Sequence, residues 1–316
     1  MSGQNSAVFV GEALARYGFG HGHPFGTDRL QAFWQEAGKQ GLDTRVRQEE
    51  PVTAERATME RFHTPQYVTA VQRLSEKGSG FLDFGDTPAF PGVYEAAATV
   101  VGSAVAAAEG ILAGRWRRAF VPIGGLHHAR RDRASGFCVF NDCGVVIETL
   151  LRNHGLERVA YVDIDAHHGD GVYYAFEANP KVWTADCHQD GRTLFPGTGA
   201  AGERGAGQAE GTKLNIPLSP GADDNAFHHI WPRLEAHIEA ARPDFILLQC
   251  GADSLGGDPL ANLALTEKAH SHAAERLRLL AERWCHGRLL ALGGGGYNRG
   301  NLARAWCAVT EAMTDL

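Results

Sequence analysis

Short apolar runs alternate along the chain with longer helix-like segments. The runs of strand length are residues 118–123, 159–163, 181–184, 244–250 and 288–292. The helix-like segments are 94–113, 141–153, 226–241, 265–285 and 301–313. Continuous apolar strands separated by helices predict a parallel sheet covered on both faces. No internal repeat, low-complexity linker or long charge run divides the sequence, so a single α/β domain over residues 1–316 is expected. Residues 96–108, between Glu95 and Glu109, are built of Ala, Val, Gly, Ser and Thr. That stretch is too short to span a bilayer. It predicts a small-residue helix packed closely on the sheet.

Four apolar runs end alike. The first leads into GGLHHA, the second into IDAHHGDG, the fourth into GADS and the fifth into GGGGYN. Each turn carries glycine, a reactive polar side chain, or both. In open parallel sheets the ligand crevice lies beyond the carboxyl ends of the strands. The alternation therefore predicts that His127, His128, Asp163, Asp165, His167, His168, Asp170, Asp253 and Tyr297 converge.

Composition narrows the partners. Hydrophobic residues make up 44% of the 316 and charged residues 21%, the balance of an ordinary globular protein. This excludes a disordered tail, a collagen and a small disulfide scaffold. The net charge of −7 disfavours nucleic acid, whose phosphates need a basic face. Six cysteines are scattered with no CxxC pair, which predicts reduced, mostly buried thiols. No basic stretch followed by an apolar core opens the sequence, so no signal peptide is expected, nor a membrane partner. A cytoplasmic location is the expectation.

The cluster Asp163-Ile-Asp165-Ala-His167-His168-Gly169-Asp170 carries the strongest chemical signal. At strand period two, Asp163, Asp165 and His167 point to one side. Two carboxylates and an imidazole at such spacing are costly in a half-buried setting, because like charges repel, and a divalent cation removes that cost. A third protein ligand from another strand end, best Asp253, leaves the open position that catalytic zinc uses. A solvated acidic turn is the alternative, but it needs no such cluster behind an apolar strand. Tandem His127 and His128 suit an acid/base pair or metal ligands, with Asp163 and Asp170 as partners fixing their tautomers. The four glycines before Tyr297 lack the Lys-Ser/Thr of a P-loop. They let the backbone approach the site and aim Tyr297 inward as an oxyanion donor; a packed tyrosine is the other reading. The Gly-rich segment 195–211 reads as a long loop lining a binding mouth. Phe137 and Phe195 are aromatic walls for an extended aliphatic chain, or core.

Taken together, GGLHHA, SGFCVFND, YVDIDAHHGDGV, LFPGTG, GADSLGGDP and GGGGYN resemble the zinc-dependent histone deacetylase family. Its bacterial acetoin-utilisation-type and acetylpolyamine amidohydrolase relatives share these motifs. The resemblance runs in the family's order from about Gly20 to Tyr297. It implies the arginase/deacetylase fold, a single domain with a central, mainly parallel eight-stranded sheet. It implies one catalytic Zn2+ held by Asp165, His167 and Asp253. His127 and His128 become the tandem active-site pair with Asp163 and Asp170 behind them, and Tyr297 the oxyanion donor. Gly136, Phe137 and Phe195 become walls of an acyl-lysine tunnel, Leu260 its rim, and Asp86 the rim carboxylate that holds the substrate backbone. A structural K+ is implied at Asp163, Asp165, His167, Asp186 and Cys187, although the family often has Ser where Asp186 stands. The implied reaction removes acetyl or other short acyl groups from Nε-acyl-lysine, with small acylated amines such as acetylpolyamines as the alternative substrate. The loop from Leu82 to Val93 offers Asp83 and Asp86 for either. A binuclear manganese ureohydrolase would want a second carboxylate beside Asp253. A catalytically dead acyl-lysine reader would want a ligand or Tyr297 lost. An oligomer is compatible with all of these readings.

Overall fold

A computed structural model describes residues 5–20 and 22–314. The strands are β1 (Ser6–Phe9), β2 (Arg47–Glu49), β3 (Arg118–Val121), β4 (Val159–Asp163), β5 (Val182–Gln189), β6 (Lys213–Leu218), β7 (Phe245–Gln249) and β8 (Leu289–Leu292). The helices are α1 (Glu12–Ala15), α2 (Arg29–Lys39), α3 (Arg56–Met59), α4 (Pro65–Lys77), α5 (Val93–Leu112), α6 (Asp142–Glu148), α7 (Asp170–Phe176), α8 (Asp224–Ala241), α9 (Glu267–Trp284) and α10 (Arg299–Met313). One eight-stranded sheet has the order β2-β1-β3-β8-β7-β4-β5-β6, and every pairing in it is parallel. The expected "mainly parallel" sheet is thus wholly parallel.

Every residue of β3, β4, β7 and β8 is buried. Successive strand residues face opposite sides, so both faces of these strands are covered. Packing is the reason. Helix α5 lies against β1, β3 and β8, and α9 against β7 and β8. Helix α5 is apolar enough to pass for a membrane span by composition, yet most of it is buried inside the protein. Its small residues set how closely it packs. A Cβ on Gly102 would lie 2.2 Å from the Val52 carbonyl oxygen and 2.4 Å from the Ala54 nitrogen. Backbone cannot rotate out of the way. Gly102→Ala is therefore expected to cost about 1–3 kcal/mol, read as a lower urea midpoint.

Three strands escape the apolar pattern. β1 is only four residues long. β2 is a polar, partly exposed edge strand. β6 is the other edge and carries Pro217, which an edge strand tolerates. The expected strand at 181–184 runs on to Gln189 through buried Asp186, His188 and Gln189. The expected helix at 141–153 ends as α6 at Glu148 and continues as a π turn, Thr149–Asn153. All six cysteines are buried free thiols.

Strands β3, β8, β7 and β4 are neighbours at the middle of the sheet. These are the four whose ends carry the chemical motifs. Parallel pairing brings those ends to one edge.

Candidate active site

β4 stops at Asp163, so Asp165 and His167 sit in the turn before α7 rather than on a strand. Strand alternation is therefore not what gathers them. The turn is shaped by backbone donation to carboxylates: the Asp165 N–H donates to Asp163 Oδ1 (3.1 Å) and the His167 N–H to Asp165 Oδ1 (3.0 Å). Ligand atoms of Asp165, His167 and Asp253 lie within 4.8 Å of one another, all buried. His167 Nδ1 is 3.1 Å from both Asp165 Oδ1 and Asp253 Oδ2. Asp253 Oδ1 accepts from the Ala166 N–H (2.9 Å), and Asp165 Oδ2 from Gly295 N–H (2.9 Å) and Gln249 Nε2 (2.9 Å).

Burial alone would keep His167 neutral, but its hydrogen bonds to Asp165 and Asp253 hold its pKa up at about 10. Burial, and then the Asp165 charge, push Asp253 up to about 7. Two buried carboxylates facing one imidazole are the donor set of a divalent cation. Glycine makes the space. A Cβ on Gly251 would sit 1.9 Å from Asp165 Oδ2, and one on Gly295 2.0 Å from Asp253 Oδ2. The residues fit a metal.

Beside this group stand two His–Asp pairs. His127 Nδ1 donates to Asp163 Oδ2 (2.8 Å), which also accepts the Tyr161 hydroxyl (2.6 Å). His128 Nδ1 donates to Asp170 Oδ1 (2.7 Å), and Arg130 Nη2 donates to Asp170 Oδ2 (2.6 Å). Both Nδ1 atoms are thus protonated, and the two Nε2 atoms face each other at 3.0 Å. That contact needs one proton. Burial opposes charge on His127, but Asp163 and Asp165 overcome it and raise its pKa to about 10. At His128, burial and then the His127 charge lower the pKa to about 4. Asp170 shares its charge with Arg130 and does not reverse this. His127 is the charged ring and His128 the neutral one.

A pocket of about 230 Å³ opens from these groups to the surface. It is lined by Asp86, His128, Gly136, Phe137, His167, Leu194, Phe195, Leu260 and Tyr297. Phe195 is 45% exposed, so it is a wall of the pocket and not core. Its ring meets His128 edge-on at 5.1 Å. Phe137 stands at φ +66°, a strained conformation for a bulky residue. It is held there by Tyr17, whose hydroxyl donates to Phe137 O (2.7 Å), and by Thr87 Oγ1, which accepts from Phe137 N (3.1 Å). Gly136 is at φ +55°, and a Cβ there would lie 2.7 Å from the His128 ring and 2.9 Å from Phe195. Gly136→Ala is expected to lower kcat/KM about 10²-fold by displacing both, as steady-state kinetics would show.

Tyr297 packs edge-on against Phe137 (5.8 Å) and Phe25 (6.4 Å), and its N–H donates to Asp258 Oδ2 (2.8 Å). Burial, then the charges of Asp253 and Asp165, raise its pKa well above the usual tyrosine value. Its hydroxyl stays protonated and can donate.

The rim is more specific than the sequence suggests. Asp83 is spent within its own loop: Oδ1 accepts from Gly85, Asp86 and Thr87 N–H groups at 3.0, 2.9 and 2.8 Å, and Oδ2 accepts the Thr87 hydroxyl. This leaves Asp86 as the carboxylate lining the mouth. His23 Nδ1 accepts from Phe25 N (3.1 Å), so Nε2 carries the proton and donates to Asp86 O (3.1 Å).

Asp186 sits in register beside Asp163, with Cys187 next to it. Its Oδ1 accepts from His188 Nδ1 (2.6 Å) and its Oδ2 from Gly169 N (2.8 Å). Gln249, Tyr17, Thr87 and Arg29 are the functional neighbours that sequence patterns miss. Buried Arg29 donates from Nε to Gly296 O (3.0 Å) and from Nη2 to Gly294 O (2.6 Å), pinning the glycine turn before Tyr297. The one available signal for Gln249 is a polar residue closing an otherwise apolar run.

This all-parallel sheet with an Asp-His-Asp group and paired histidines at its carboxyl edge is the arginase/deacetylase fold. The histone deacetylase domain model matches residues 23–313, and the chain belongs to the histone deacetylase family. It is 39% identical over 260 residues to the acetoin utilization protein AcuC of Bacillus subtilis, covering 79% of this chain and 67% of that protein. It is 36% identical over 311 residues to histone deacetylase 19 of Arabidopsis thaliana, covering 96% of this chain and 60% of that protein. The chain thus spans about two thirds of the length of these relatives. The crystal structure of the HDA15 HD domain superposes with a TM-score of 0.90 at 28% identity, covering 98% of this chain and 88% of that one.

Proposed function

We propose that this protein is a zinc-dependent amidohydrolase that removes acetyl or another short acyl group from Nε-acyl-lysine side chains. The observation that carries this reading is the aromatic-walled pocket of about 230 Å³ that ends on His128, His167 and Tyr297. A linear acyl-lysine side chain suits such a pocket. Asp165, His167 and Asp253 would hold the zinc ion. When bound, it supplies the positive charge that polarises the amide carbonyl and acidifies water.

The chain's own residues supply the rest. Phe137 and Phe195 exclude solvent from the alkyl chain and align the amide. Asp86 accepts a backbone N–H of the substrate at the mouth. His128, neutral and oriented by Asp170, takes the proton from water and later delivers it to the leaving amine. His127, hydrogen-bonded to Asp163, holds its ring against His128. Tyr297 donates its hydroxyl to the developing oxyanion. The products are a carboxylate and a free amine.

Engagement of Asp83 favours lysine over an acetylpolyamine. A polycation would be served by several free carboxylates at the mouth, and Asp86 is the one lining it among the described residues. The test is competition: zinc-loaded enzyme receives an acetyl-lysine peptide and an acetylated polyamine together, and mass spectrometry follows both amines. The peptide is expected to be consumed first. Preference for the polyamine would overturn the substrate assignment and leave the amidohydrolase assignment intact.

We further infer a structural K+ at Asp163, Asp165, His167, Asp186 and Cys187, held through main-chain oxygens. Both oxygens of the Asp186 carboxylate already accept hydrogen bonds from His188 and Gly169, so the side chain is a poor ligand. Replacing KCl by choline chloride is expected to lower the Tm of the protein.

A further inference from the structure

The opposite end of the sheet holds a buried lysine with no carboxylate partner among the described residues. Lys213 opens β6 and is 1% exposed. Its Nζ donates to three oxygens: Asn179 O at 3.1 Å, Thr212 Oγ1 at 2.8 Å, and Val182 O. The Thr212 hydroxyl has already given its proton to Ala209 O at 2.7 Å. Towards Lys213 all three oxygens are therefore acceptors only. A neutral amine has two hydrogens for three acceptors, so its lone pair would face an oxygen. An ammonium satisfies all three. Burial pulls the pKa down to about 7, and only the distant charge of Glu177 opposes it electrostatically. The oxygen cage is what favours the charged form.

The cage bridges segments that backbone hydrogen bonds also join, Thr184 N–H to Thr212 O at 3.1 Å and Val182 N–H to Asn179 O at 3.2 Å. Asn179 lies between α7 and β5, Val182 starts β5, and Thr212 precedes the edge strand β6. Carbonyl oxygens can replace the hydration shell of K+, so an oxygen cage without a carboxylate suits a monovalent cation. Here the chain provides the cation itself.

We infer that the Lys213 ammonium is a built-in substitute for a monovalent metal ion, and that shortening Lys213 converts its oxygen cage into a K+ site. This does not depend on the enzymatic reading, and the cage is separate from the segment around Asp186. Lys213→Ala leaves the oxygens and a vacancy, whereas Lys213→Met removes the charge but fills the space.

The experiment is thermal unfolding of the wild type, K213A and K213M in KCl and in choline chloride at equal ionic strength. The wild type gives a baseline potassium response, which includes any from the Asp186 segment. K213A is expected to exceed that baseline by at least about 2 °C, because an ion binding only the folded state raises Tm. K213M is expected to melt below the wild type and show the baseline response alone. An equal response in K213A, or a K213M as stable as the wild type, would overturn the inference. Should the variants fail to fold, 15N NMR of the wild type decides. A solvent-protected lysine nitrogen bearing three protons at pH 6, below its pKa of about 7, supports the inference, and one bearing two overturns it.

Discussion

Asp253→Asn is expected to lose metal and turnover together while remaining folded. The Asn oxygen can still accept from the Ala166 N–H, and its amide nitrogen can donate to His167 Nδ1 once that ring is neutral with its proton on Nε2. What goes is one negative charge from a three-ligand set. Zinc should fall well below one equivalent by elemental analysis. Turnover should drop about 10³–10⁴-fold, the scale of several kcal/mol of charge stabilisation. Asp165→Ala should lose metal equally but also stability, because Gln249 Nε2 and Gly295 N–H are left as buried donors without their acceptor. A tightly held equivalent of zinc in Asp253→Asn would contradict the ligand assignment.

The second large effect belongs to Tyr297. Its ring is fixed by Phe25, Phe137 and the Asp258 contact to its backbone, none of which involves the hydroxyl. Tyr297→Phe therefore removes a hydrogen-bond donor and little else. Zinc content, Tm and KM should stay near wild-type values. kcat should fall about 10²–10³-fold, the usual loss for one oxyanion donor. An unchanged kcat would exclude the hydroxyl from the reaction.

The site is unusually legible because a parallel sheet concentrates polar residues just past its buried strands. Asp163, Asp165, His167, Asp253 and the two histidines could be gathered from strand ends alone. Asp163 and Asp170 do stand behind the two histidines; the structure adds which serves which, His127–Asp163 at 2.8 Å and His128–Asp170 at 2.7 Å. Which histidine carries charge was not legible, since that depends on how closely Asp163 and Asp165 both approach His127 in the folded protein. Gln249 hides in an apolar strand. Tyr17 and Thr87 act through long-range contacts to the Phe137 backbone that no local pattern marks. Asp83 and Asp86 look alike in sequence, and only the turn geometry spends one and frees the other. On the fold side, β2 is an edge strand of polar, mostly exposed residues, and β6, the other edge, is nearly all buried but carries Lys213, Asn215 and Pro217, so neither shows a continuous apolar run.

Hydrolysis of an acyl amide is the central activity proposed for this site. The most direct test incubates the zinc-loaded protein with an acetyl-lysine peptide and, separately, an acetylated polyamine in 18O-labelled water. Acetate carrying one 18O should appear in step with free amine from at least one substrate, stop on chelation and resume when zinc is returned. Absence of labelled acetate from both substrates would contradict the account.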